Sequence, residues 1–431
     1  MATTQSQVMS GVHANNKLVQ YTTEINREYV RENLFSPYMG TEATSIIRLR
    51  NEAKKGGEQI NFPLVGALYG PNSGGAGGTI PTLGGPTQAF GVMQLTGHEE
   101  QIDSYGMRVW IDWARNAVAT NDAEEQKDSA DIFGEAKPLL SDWGKSLQRD
   151  EIILAMMNLP SESAPTNLGS TDTSGILNGR VNGIPFATDI TAATLNTWVS
   201  DNADRVVFGN AIGNTYASPG VANTFAAAMA LVDTTADTFV PASVSLMKYR
   251  AKTAAPKIRP YKTTDGREYY VAFAGSANFN TLKLAMNQTG MPTTPAVIGI
   301  NVHARPRDVD SNPLFQDGDL MYDGVIIREV PEIDNVVTAP WKLHAAGAGT
   351  SRTAPVFLCG QQAVMFAWGK MATPTFRDQT DYQFVRGVGV KMCYGIAKTF
   401  RVPRASPHLG AGTKKVQTGM VTGIFSAATP T

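Results

Sequence analysis

Apolar positions along the chain fall into a few distinct patterns. Ile132, Phe133, Ala136, Leu139, Leu140, Trp143, Leu147 and Leu154 recur with a 3.6-residue period, which predicts one long helix within 121–159 with a single buried stripe. Pro138 either restarts that helix as its first residue or kinks it, and Asn158-Leu159-Pro160 ends it. Ile25, Tyr29 and Val30 stand at helical spacing in an N-terminal stretch that Ser36-Pro37 and Gly40 break, and Ile46-Ile47 begins an extended run. Gln59 to Val65 alternates as a strand does, and so does Ala89 to Leu95. Between them Gly66 to Gly85 carries eight glycines in twenty residues. Two strands around so long a tip predict a protruding β-arm with a function of its own.

Further along, Asp204 to Gly209 predicts a strand and turn, and Ala222 to Val232 a short buried helix. Thr264-Asp265-Gly266 predicts a hairpin turn between Lys257–Tyr261 and Tyr269–Phe273. Residues 323–330 read as a buried strand, 355–368 as a strand followed by a helix, and 382–402 as a closing strand pair. At ~150 residues per domain, 431 residues predict two or three domains.

Composition narrows the function classes. Hydrophobic residues are 42% and charged residues 17%, with a net charge of −1. That balance opposes a free-standing nucleic-acid binder and disorder, and it permits self-association. The longest apolar run, Phe225 to Val232, is far shorter than the ~20 residues of a spanning helix, and residues 1–16 hold no signal-peptide core. A soluble protein, made and used without membrane insertion, is the expectation. Cys359 and Cys393 sit in apolar strand-like contexts, as buried structural thiols do, and five dispersed histidines offer no metal spacing.

The neutral total hides blocks of opposite sign. Lys248 to Arg267 carries seven basic residues and one acid; Arg305 to Asp334 carries eight acids and three arginines. Beyond Asp381 the charges are all basic: Arg386, Lys391, Lys398, Arg401, Arg404, Lys414 and Lys415. Such blocks pair between subunits, face nucleic acid, or form solvated faces without a partner.

Catalytic motifs are weak. Ser200-Asp201-Asn202 and Ser245-Leu246-Met247-Lys248 match two of three penicillin-recognising motifs, but in reversed order and without Lys-Thr-Gly. The glycines of 66–85 lack Gly-Lys-Ser/Thr and a helix behind them, which opposes a phosphate loop. Asp308-Val309-Asp310-Ser311-Asn312 opens like a calcium loop, but Pro313 replaces its glycine and Asp319 its terminal glutamate.

The order of arm, glycine-rich β-arm, long helix, polar insertion and late strands resembles the major capsid proteins of tailed bacteriophages, with the Hong Kong 97-type fold. The residues that carry the likeness are Leu18-Val19-Gln20-Tyr21, Arg31-Glu32-Asn33 and Tyr38-Met39-Gly40; Lys257-Ile258-Arg259-Pro260 with Glu268-Tyr269-Tyr270-Val271; Asn312-Pro313-Leu314-Phe315 with Tyr322 to Ile327; and Gly387 to Val390 with Gly395 to Phe400. The resemblance implies an α+β chain in four parts: an N-terminal arm (1–50), an extended loop (51–105), a peripheral domain with the spine helix (106–160 and 350–431), and an axial domain (161–349). It implies a non-enzymatic subunit without cofactor or metal that assembles with itself, as hexameric and pentameric capsomers, into an icosahedral shell around double-stranded DNA. Packaged DNA, held without sequence specificity, and portal, scaffold or decoration proteins are its other implied partners, and the virion, or the host cytoplasm during assembly, its location. Leu64, Val65, Leu68, Tyr69, Ile80 and Leu83 are the anchors by which the loop would reach a neighbouring subunit, and Lys257 and Arg259 would pair with Asp317 and Asp319 across subunits. Lys54 and Lys55 sit where some relatives place a cross-linking lysine, but nothing marks an asparagine partner, so no cross-link is expected. The other-class alternative is a soluble hydrolase with a glycine-rich lid.

Overall fold

Two sheets organise the chain in a computed structural model that describes residues 33–51, 57–65, 96, 104–123, 132–165, 179–186, 190–210, 224–233, 236–262, 266–287, 319–336, 352–377, 385–402 and 414–427. The 17–32 stretch, Lys54, Lys55, the 66–85 glycine tip with Leu68, Tyr69, Ile80 and Leu83, the 89–95 run, Asp317 and most of the calcium-like loop lie outside the described residues.

In chain order the elements are β1 (Met39–Gly40), β2 (Ile47–Asn51), β3 (Gln59–Val65), β4 (Ser104–Trp110), β5 (Asp112–Asn121), α1 (Ile132–Met157), α2 (Ala192–Asp201), β6 (Val206–Phe208), α3 (Phe225–Ala230), α4 (Pro241–Thr253), β7 (Tyr261–Lys262), β8 (Glu268–Ala274), α5 (Ser276–Asn287), β9 (Leu320–Tyr322), β10 (Val325–Glu329), α6 (Glu332–Val336), β11 (Thr353–Cys359), β12 (Val364–Phe376), β13 (Val385–Lys398), β14 (Phe400–Arg401), β15 (Val416–Gln417) and β16 (Met420–Ser426). The larger sheet runs β6-β16-β11-β8-β10-β9 with β7 on β8, and a second runs β1-β2-β12-β13-β5; β3 with β4 and β14 with β15 form separate ribbons.

The chain divides into two compact units, one of which contains 115–146 and 373–391 and the other 33–114, 147–372 and 392–431. The larger unit is built on the larger sheet. Its central strands β8, β10, β11 and β16 are buried almost throughout, the pattern of strands covered on both faces. Helices α4 and α5 supply Val244, Met247, Ala251, Phe279 and Leu282, which pack with Ala272, Ile327, Val356, Leu358 and Phe425 of the sheet. Pro241 starts α4, and Ser243 Oγ accepts the Val240 N–H at 3.0 Å. Thr191 and Thr224 cap α2 and α3 by accepting the N–H three residues on. Phe35 and Tyr38 are buried edge-on against Phe273 of β8, at 5.0 and 5.4 Å, and the Arg328 guanidinium stands 5.4 Å from the Tyr38 ring.

The smaller unit has a thinner core. Ala136 and Leu140 of α1 pack with Val388, Val118 and Val390, while Leu139, assigned to the buried stripe by period alone, is 46% exposed.

Helix α1 lies within the predicted region, beginning at Ile132 while Asn121 ends β5, and continues through Pro138 rather than restarting there. The strand and turn at 206–209 are present, with Gly209 at φ +65°, as is the short helix within 222–232. β7 pairs antiparallel with β8, as the hairpin reading requires, although 263–265 lie outside the described residues. Three expectations are corrected. Asp323-Gly324, with φ of 49° and 70°, forms the turn between β9 and β10, so the predicted strand begins at Val325. Residues 364–368 form the start of β12, not a helix. The supposed pair at 382–402 is one long strand, β13, followed by β14, which pairs with β15.

Candidate assembly surface and the polar network behind it

The ribbon β3–β4 is the described root of the predicted arm. Its seven paired positions run from Gln59 with Trp110 to Val65 with Ser104. Alternation puts Ile60, Phe62, Met107 and Val109 on one face, packed with Met365, Ala367, Ala397 and Phe400. Leu64 joins that cluster half-buried, but Val65, at the last pair, is 64% exposed. Of the six predicted anchors, these two are the ones described: Leu64 ends the buried row, and Val65 stands on the opposite face.

Beneath this ribbon lies a buried polar network. Glu151, in the last turns of α1, is 1% exposed. Arg180 donates to its Oε1 from Nε (3.0 Å) and Nη2 (2.7 Å), and from Nη1 to the Trp113 carbonyl at 2.9 Å. The guanidinium stands 5.9 Å from the Tyr394 ring. Burial pushes the Glu151 carboxyl up from its ordinary value and Arg180 opposes it. Arg180, whose own burial acts to lower it, is held above its usual value by the Glu151 carboxylate. The Tyr394 hydroxyl is pushed up by burial and then by the Glu151 charge.

Two residues on, Asn182 ties the same segment to two strands. Its Oδ1 accepts from Trp110 N at 2.9 Å, and its Nδ2 donates to the carbonyls of Trp110 (3.0 Å) and Ile396 (3.2 Å). Gly183 has φ +105°, and a Cβ there would press on the Leu159 carbonyl at 2.6 Å; a Cβ on Gly395 would strike the Trp110 carbonyl. The segment therefore fits only with glycine at both positions.

The charged candidates separate. Lys257 and Arg259 are exposed, whereas Asp319 is half-buried and its charge acts on Tyr38. One pair does join the two blocks, Lys248 to Asp323 at 2.6 Å, and it closes within the chain. Lys398, counted in the basic tail, is 3% exposed and so faces no partner. Asp201 and Asn202 of the weak catalytic motif serve the fold: Asp201 Oδ2 accepts from Lys415 N, and Asn202 Oδ1 from Gln417 N. Among the described residues no cluster of His, Cys, Asp and Glu could hold a metal, and no helix is long and apolar enough to cross a membrane. Both cysteines are buried and free.

Sequence reading missed the Arg180 network because it lies in a stretch read only as polar insertion. The available signal was that Arg180 is the one charge between Asp172 and Asp189. Arg180→Met is expected to destabilise the subunit by about 3–5 kcal/mol, since it strands a buried carboxylate. Arg180→Met with Glu151→Leu should recover much of that loss. Denaturant titration of the four proteins of the cycle measures it.

Comparison with known proteins agrees with this architecture. A family model described as phage capsid protein matches residues 11–429. The major capsid protein of Pseudomonas phage KPP25 is 23% identical over 367 residues, 84% of this chain and 83% of that protein. The capsid of cyanophage Pam1 is 30% identical, covers 98% of this chain and 100% of its own, and superposes with a TM-score of 0.71. That of Ralstonia phage GP4 is 18% identical over 99% of both chains, with a TM-score of 0.64, and shares the fold. The mixed helix and sheet content is that of these capsids. With its match running almost end to end, this chain belongs to the phage capsid protein family.

Proposed function

We propose how this phage major capsid protein builds its shell. The subunits assemble as hexameric and pentameric capsomers into an icosahedral shell around double-stranded DNA, in the Hong Kong 97-type layout. Residues 1–50 serve as the arm, 51–105 as the extended loop, 106–160 and 350–431 as the peripheral domain, and 161–349 as the axial domain. The observation that carries the reading is the β3–β4 ribbon, which has one apolar face packed on its own chain and Val65 exposed where it leads into the glycine-rich tip. Glycine is costly to order. Leu64, Val65, Leu68, Tyr69, Ile80 and Leu83 offset that cost by burial against a neighbouring subunit. The subunit acts as a structural protein rather than an enzyme. Packaged DNA, portal, scaffold and decoration proteins are its further partners, and it passes from host cytoplasm to virion. The hydrolase alternative has no support: Asp201 and Asn202 hold the 415–417 backbone, and Lys248 is paired with Asp323.

Replacing Gly66–Gly85 by a short turn tests this. The expected product is a folded subunit of near-normal thermal stability that forms few or no closed shells by sedimentation and negative-stain microscopy. Loss of folding, or normal shells, contradicts the assignment of the loop as the inter-subunit arm.

Lys257 and Arg259 are exposed and face the acidic 305–334 block, Asp317 and Asp319 included, of a neighbouring copy in this proposal. Lys257→Glu with Arg259→Glu should lower shell yield without lowering subunit stability, more at 20 mM than at 500 mM salt, because screening relieves the repulsion. Equal yields at both salt concentrations contradict the pairing.

A further inference from the structure

Lys398, the last residue of β13, is 3% exposed, and its amine has no hydrogen-bond partner among the described residues. The Trp198 ring of α2 lies 5.8 Å from its Nζ. The titratable group that acts on it is the Cys359 thiol of β11, itself fully buried. The charged groups at the end of α2 are engaged elsewhere. Asp201 of α2 accepts from Lys415 N at 3.0 Å, and Arg205, after α2, is paired with Asp204 at 2.8 Å and bonded to the Gln417 carbonyl of β15. Trp198 in turn packs with Phe186 and Phe225, so α2 and α3 share one aromatic cluster over this amine.

We propose that Lys398 is a proton-linked latch: uncharged, it lets α2 close down on the sheet through Trp198, and proton uptake favours the opened form in which the amine meets water. A buried ammonium with one aromatic face and, among the described residues, no carboxylate is poorly compensated, whereas the neutral amine fits an apolar pocket. The first cause of its lowered value, about 7, is burial, and the Cys359 thiol opposes that only in part. The linkage has a definite sign. The closed form binds fewer protons than the opened form between the depressed value and the ordinary lysine value of 10.5. Closure is therefore strongest at high pH, weakens as pH falls towards 7, and changes little below that.

Hydrogen–deuterium exchange of 192–201 in the full-length protein, corrected for intrinsic rates, reads this directly. From pH 9 to pH 7 the opening constant should rise by up to about fiftyfold, and from pH 7 to pH 6 by only about twofold. Lys398→Met, which keeps the volume without the charge, should remove that dependence. It should also raise the melting temperature at pH 7, by a margin that shrinks towards pH 10. Wild-type exchange that is flat between pH 9 and pH 7 overturns the latch whether or not the variant folds. A folded variant with the wild-type pH dependence does so as well.

Discussion

A carboxylate with 2% of its side chain exposed must be met by a cation in the same place, and Glu151 is met by Arg180. Much of the larger unit's geometry follows from that pair. Arg180 can reach Glu151 only if the segment around it lies along β13, and Asn182 holds it there by bonding β4 and β13 together. Ile396 N then donates to the Arg180 carbonyl while its own carbonyl accepts from Asn182 N, as beside a parallel strand, and Leu159 closes on Ile184. The end of α1, residues 180–184 and two strands are thereby tied together by three side chains. A buried ion pair adds little net stability over an apolar replacement, but it penalises every arrangement that leaves one partner alone.

Against this fixed frame the ribbon β3–β4 behaves differently. Its inner row is satisfied within the chain and ends at half-buried Leu64, whereas Val65, on the opposite face, is exposed. A subunit that is complete at its sheets and incomplete at its ribbon is suited to a repeating shell. In the proposed assembly, the apolar side chains left exposed at the ribbon's end would gain burial against a neighbouring copy. The low charge and near-zero net charge of the chain act in the same direction, since little repulsion opposes contact between copies.

How much of this the sequence revealed depended on whether an element had one wet face. α1 was legible because Ala136 and Leu140 recur at helical spacing beside polar neighbours, and β3 because Ile60 and Phe62 alternate with Asn61 and Pro63. Legibility failed where both faces are covered. The run Val364 to Trp368 is apolar without a period, so helix and strand could not be told apart. The alternation within 382–402 reads as a strand pair, and Gly387, Gly389 and Gly395 fall inside it. They lie within one strand, where neighbouring backbone or side chains leave no room for a Cβ. The Arg180 network was invisible for another reason: its partners are distant in sequence, and a lone arginine in a polar stretch announces burial only weakly. Lys398 was misread as a tail charge because residue type suggested solvent while its strand position dictated the core.

The central claim is that the ribbon finds its missing burial on another copy. Amide exchange of residues 61–65 and 104–108, measured in free subunits and in assembled particles, tests it most directly. The account predicts that these amides become markedly slower on assembly while those of 353–359, already buried in the sheet, change little. Equal protection of the ribbon in both states would contradict it.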